Sequence, residues 1–157
     1  MLTKIDHALR VSIADELGYN VEPEIDSFNI LRDDEFPVCF FDYGDEEPVE
    51  DEDETIGYFV NDIFIDFEIA VKADERSYRL DAFKELSRFK KYINDFRNIV
   101  DVRFPDSCGV IEMKYEGMSV VGWDNNRSAG GLIVQTSIRY RQCRDNPETN
   151  DCNCGGC

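Results

Sequence analysis

The sequence predicts an α+β domain, a mostly antiparallel sheet of about four to six strands with two helices packed on one face. Three observations point there. The chain has 157 residues, 42% of them hydrophobic, which suits one domain with a core of its own. Two segments repeat apolar residues at three- and four-residue spacing, and several others alternate apolar and polar residues. The order is helix, strands, helix, strands, with no internal repeat and no strict βα alternation.

The first helix is read over residues 3–18, where Leu2, Ile5, Ala8, Leu9, Ile13 and Leu17 form one stripe and Gly18 ends it. Residues 36–43 are aromatic and β-branched. They read as a strand with Pro37 near its start, closed by Gly44 and an acidic loop. Residues 62–72 give the clearest strand, since Ile63, Ile65, Phe67, Ile69 and Val71 alternate with Asp62, Asp66, Glu68 and Lys72. Residues 55–60 join that strand or form a short partner to it. A second helix is read over residues 79–97, with Ala82, Phe83, Leu86, Phe89, Tyr92, Ile93 and Phe96 on its apolar stripe. Lys84, Arg88, Lys90 and Lys91 lie off that stripe. Three closing strands are expected at 99–104, 109–115 and 132–143, with a long loop over 117–129 and a turn at Gly130-Gly131. The domain is expected to span 1–143, and 144–157 to form a flexible cysteine-rich tail.

Charge is distributed unevenly. Residues 1–75 carry 4 basic and 23 acidic side chains, a net of −19, whereas residues 76–157 carry 13 and 11, a net of +2. The density peaks at 45–54, eight carboxylates in ten positions, where mutual repulsion should hold a loop open. A solvated loop that maintains solubility is the simplest use for such a run. Asymmetry of this size also suits a protein with one face that meets a partner and another that repels. The total of −17 leaves no excess of Lys and Arg to displace counterions, so tight sequence-neutral binding to nucleic acid is not expected. Uncharged apolar runs such as Ile63-Phe64-Ile65 are far too short to span a bilayer, so no membrane partner is expected. Residues 1–7 carry charges at one-turn intervals without an apolar core, and no secretion signal is expected from them.

Catalytic and cofactor signatures are not found. The single histidine, His7, lies in the first helix beside Asp6 and Arg10 and reads as structural. There is no phosphate-binding glycine loop, dinucleotide fingerprint or His-Glu-x-x-His. Asp62, Asp66, Glu68 and Lys72 share one strand face, but the lysine is four residues beyond the glutamate. That spacing fits a wet face with paired charges better than a magnesium-dependent nuclease. No enzyme, metal or cofactor is therefore expected.

The cysteines are the one unusual chemical signal. Cys143, Cys152, Cys154 and Cys157 crowd the last fifteen residues as Cys-x₈-Cys-Asn-Cys-Gly-Gly-Cys. Zinc or an iron–sulfur cluster would need a second paired knuckle. Intermolecular disulfides are the better functional reading, formed late or outside a reducing cytosol, and an unpaired tail is the remaining one. Cys39 sits within a strand pattern and reads as a small buried hydrophobe, while Cys108 at a turn fits either role.

Taken together, these elements resemble the tail terminator proteins of long-tailed bacteriophages over about residues 1–143. The resemblance rests on the opening helix, the strand Phe36-Pro37-Val38-Cys39-Phe40-Phe41, the alternating strand, the long second helix, and the glycine-preceded closing strand Gly130-Gly131-Leu132-Ile133-Val134. The acidic insertion and the cysteine tail depart from the family pattern. The resemblance implies a structural virion protein of the tail or neck, assembled in the host cytoplasm. It would form a hexameric ring on the tail tube, stop tube polymerisation and meet the head–tail connector protein, with the sheath protein as a further contact. DNA would pass through such a ring without specific binding, and an acidic lumen would repel it. A ring needs two complementary side surfaces on each subunit. Lys90 and Lys91 on the second helix, and Glu50, Asp51, Glu52 and Asp53 in the acidic run, are the candidate interface or lumen charges. Two rival readings stand beside it, another neck or head–tail connector protein and an acidic inhibitor that mimics DNA. The mimic is disfavoured because carboxylates do not extend over the whole chain.

Overall fold

The computed structural model describes residues 2–21, 36–49, 58–104, 109–124 and 129–143. The elements are α1 (Leu2–Leu17), β1 (Asn20–Val21), β2 (Val38–Pro48), β3 (Tyr58–Lys72), α2 (Tyr78–Arg103), β4 (Val110–Asp124) and β5 (Ala129–Cys143). The sheet runs β1-β2-β3-β5-β4. Every neighbouring pair is antiparallel except β1 with β2, so the α+β class is as the sequence predicts and the parallel pair is a small departure.

Both helices lie on one face of the sheet, and the core is the layer between them. Ile5, Leu9 and Ile13 of α1 and Phe89, Ile93 and Phe96 of α2 meet the odd-numbered residues Ile63 to Val71 of β3 and Leu132, Val134, Ile138 and Tyr140 of β5. Alternation places these residues on one side of each strand, as the sequence pattern requires. Within the core Phe67 touches Phe41 on one side and Phe89 on the other, at ring-centroid distances of 5.4 and 5.0 Å. One buried polar pair crosses between the helices, with Ser12 Oγ and Tyr92 OH 2.7 Å apart.

α1 ends at Gly18, whose positive φ of 70° provides the left-handed residue that commonly follows a helix. The last turn of α1 carries Asp15 and Glu16, the wrong sign for a helix C-terminus. α2 offsets this. Arg103 pairs with both carboxylates, and Arg88 donates to the Leu17 carbonyl at 2.6 Å, satisfying one of the free acceptors there. Arg88 also pairs with Glu85, so part of the basic side of α2 holds its own domain together.

The structure corrects four expectations. The strand that should have stopped at Gly44 continues to Pro48, because an irregularity between Tyr43 and Glu46 admits an extra residue and pairing with β3 then resumes. Residues 45–48 of the expected acidic loop are therefore strand, and 50–54 lie outside the described residues. Residues 99–104 are not a strand, since Val100 follows Phe96 on the buried face of α2 and the helix runs on to Arg103. The expected loop over 117–129 is largely β4, which pairs with β5 down to Asp124 despite three register shifts. Gly130 and Gly131 form no turn and instead lie within β5, in register with Val71 and Ala70. Residues 144–157 of the expected tail are outside the described set. Among the described residues, no helix is long and apolar enough to cross a membrane.

Candidate functional site

With both described helices on one side, the other face of the sheet is buried at one end, where Val38, Phe40 and Ala70 pack with Phe36, and open toward its middle. Its centre lies across β2, β3 and β5. Asp42 of β2 stands directly opposite Asp66 of β3, and Asp66 is in turn opposite Gln135 of β5. Asp42, Asp66, Gln135 and Glu116 are all exposed, and Phe64 beside them is 37% exposed. They line a shallow cleft of about 420 Å³ together with Tyr43, Gly44 and Thr136. Cross-strand neighbours on one face come within about 5 Å, and two carboxylates at that spacing repel by about 1 kcal/mol even in water. Among the described residues, neither Asp42 nor Asp66 has a cationic partner.

Beside this centre, toward Asp62 and Glu112, charges are paired. Arg139 holds Asp62 with two bonds of 2.9 and 2.8 Å and approaches Glu112 at 3.5 Å, while Lys114 pairs with Glu112 at 2.8 Å. Glu116 accepts the Ser137 hydroxyl at 2.6 Å. The acidic centre is thus flanked on that side by matched charges.

Glu68 lies on the same face between Phe40 and Ile133. Partial burial pushes its carboxyl above the usual carboxylate range. The folded state therefore holds this proton more tightly than the unfolded chain. Stability is fully present below the unfolded pKa and is lost as pH rises through the higher folded value. Glu68→Gln accordingly raises the melting temperature at neutral pH and leaves it almost unchanged near pH 4. A fall at neutral pH would show that the ionised carboxylate is stabilised here.

On the opposite side of the molecule, α2 turns a stripe outward. Leu80, Phe83, Lys84, Ser87 and Lys91 follow helical spacing and are all exposed, Leu80 at 62% and Phe83 at 46%. Of the two lysines singled out in the sequence, Lys90 lies over the ring of Tyr115 on β4, 3.9 Å from its centroid, and is bound to its own sheet. Lys91 has no carboxylate partner among the described residues and projects from the stripe. Among the described residues Lys84 pairs with Asp81, at 2.7 Å on the exposed surface, a contact worth little to stability.

The remaining candidates separate clearly. Glu50, Asp51, Glu52 and Asp53 lie outside the described residues, as do Cys152, Cys154, Cys157 and Cys108. Cys143 closes β5 opposite Tyr58, and its side chain is outside the described set. Cys39 is wholly buried, and burial pushes its thiol well above the ordinary range, as befits a core residue. His7 is exposed and meets Phe104 edge-on, with ring centroids 6.0 Å apart. Of the strand carboxylates on this face, Asp62 is held by Arg139, and Asp66 stands opposite Asp42. Among the described residues, no group of three or more His, Cys, Asp or Glu side chains could hold a metal ion.

Sequence reasoning missed the Asp42–Asp66 pair and Glu116. The first depends on the register between β2 and β3, which no single strand reveals, and the second fell at the boundary of a stretch read as loop. The available signal was an outward-facing aspartate in each of two neighbouring strands. No protein-family model matches the chain, and no curated protein matches it.

Proposed function

We propose that this chain is a ring-forming structural protein of a long-tailed bacteriophage, a tail terminator that caps the tail tube, stops its growth and joins it to the head connector while DNA passes through. One observation carries the reading. The two layers present chemically opposite surfaces on opposite sides, an acidic sheet face and an outward helix stripe of lysines and apolar residues. Contacts between unlike surfaces are the kind from which rings are closed. The net charge of −17 suits a ring through which DNA slides, since phosphate is repelled and no counterion release favours binding.

The test is tube growth. Added to polymerising tail tube protein, the chain should arrest elongation, with density of one ring at the tube end in electron micrographs. Tubes that grow to the same length with and without it would overturn the terminator role. Capture of head connectors without growth arrest would instead assign the chain to another ring of the neck.

A further inference from the structure

The open sheet face and the outward stripe of α2 match one another in chemistry as well as in sign. The sheet face places Phe64 among Asp42, Asp66 and Glu116, an apolar contact ringed by carboxylates. The stripe places Leu80 and Phe83 beside Lys84 and Lys91, an apolar contact flanked by two ammonium groups, one of them shared with Asp81. Each is incomplete by ordinary surface standards. The Asp42–Asp66 pair carries repulsion that a cation would relieve, and Leu80 and Phe83 leave large apolar side chains in water.

We infer that the occupant of the open sheet face is the α2 stripe of a second copy of this chain, with Lys84 and Lys91 of that copy meeting Asp42, Asp66 and Glu116. This deepens the ring reading and rests on it. The outward stripe of α2 and the exposed Asp42–Asp66 region lie on opposite sides of the helix and sheet layers, so a copy that offers its helix to one neighbour still has that acidic region free for the next. Such a contact is head-to-tail and propagates until rotation closes it. The lysines also supply the cations that the Asp42–Asp66 pair lacks among the described residues, and steer the copies into one orientation.

Two charge-reversed chains test the contact. In one, Asp42→Lys and Asp66→Lys make the sheet face basic; in the other, Lys84→Glu and Lys91→Glu make the stripe acidic. All four positions are exposed, and thermal unfolding of each chain verifies its fold. Assembly is read as native mass, alone or on tail tubes, wherever the unmodified protein forms its ring. Each variant alone should shift the assembly midpoint to about tenfold higher concentration or more. Mixed in equal amounts, the two should recover the ring, since every contact in an alternating assembly again joins opposite charges. Reversal of Arg97, also exposed on α2 but paired with Asp101, should leave the ring intact. A ring that persists in both variants, or a mixture that stays dissociated, overturns this contact and leaves the ring itself standing. An unmodified chain that forms no ring even at the tube end overturns the ring reading together with the contact.

Discussion

Phe67→Ala is expected to cost about 3–5 kcal/mol of unfolding free energy, the largest effect of any single truncation in this fold. Phe67 has no exposed surface and stands at the middle of β3, the strand paired on both sides. Its ring joins Phe41 of β2 to Phe89 of α2, so the truncation opens a cavity between sheet and helix that neither rigid neighbour can fill. At about 2–4 °C per kcal/mol for a chain of this length, the melting temperature should fall by roughly 6–20 °C. Thermal unfolding followed by circular dichroism under reducing conditions measures it. A loss below about 1 kcal/mol would mean that α2 does not pack on β3 as described.

The second large effect comes from adding one methyl group. A Cβ at position 131 would lie 2.2 Å from the Ile69 carbonyl oxygen and 3.2 Å from the Ala70 Cα, both backbone atoms of the adjacent strand. No side-chain rotation relieves such a clash, so β3 and β5 must separate locally, and the ladder weakens near the end at which β5 begins. Gly131→Ala is expected to cost about 3 kcal/mol or more, at the upper end for overpacking, with a melting temperature lower by roughly 6 °C or more. Gly122→Ala is the matched control. Nothing lies within 4 Å of the added atom there, and the change should stay within about 0.5 kcal/mol. Equal losses at both positions would show that glycine is needed at 131 for reasons other than the approach of β3.

How much of this was legible in the sequence depended on whether one periodicity dominated a segment. α1, β3 and β5 were readable because their apolar residues keep strict spacing, and Gly18 stops α1 where a left-handed residue is needed. The tail of α2 was misread because Ile99, Val100 and Val102 are β-branched and short apolar runs fit either a helix or a strand. The far end of β4 was misread because Gly117 and Gly122 suggested a loop, whereas β5 provides the pairing that holds them extended. Residues 45–48 suggested open chain because Asp45, Glu46 and Glu47 repel one another. Register with β3 keeps them in the sheet, and Glu46 accepts the Tyr140 hydroxyl at 2.6 Å. Gly130-Gly131 announced a special backbone position correctly, but the cause is close approach by Tyr78 and β3 rather than a turn.

The candidate site was legible in part. Lys91 was visible as a basic residue off the apolar stripe, while the role of Lys90 depends on Tyr115, from a strand distant in sequence. The acidic partner surface was sought in the run 45–54, where charge density is highest. The structure adds a second acidic surface at Asp42 and Asp66, made by strand pairing rather than by local composition. Charge density along a chain shows where repulsion is strongest, and charge on a folded face shows where a cation can dock.

Native mass is the measurement that tests the central claim most directly, taken on the protein alone and after mixing with tail tubes, with and without reductant. The ring account predicts six copies, formed freely or only at the tube end, and a covalent fraction that reductant removes if the C-terminal cysteines link neighbouring chains. A monomer that never joins a tube, under either condition, would contradict it.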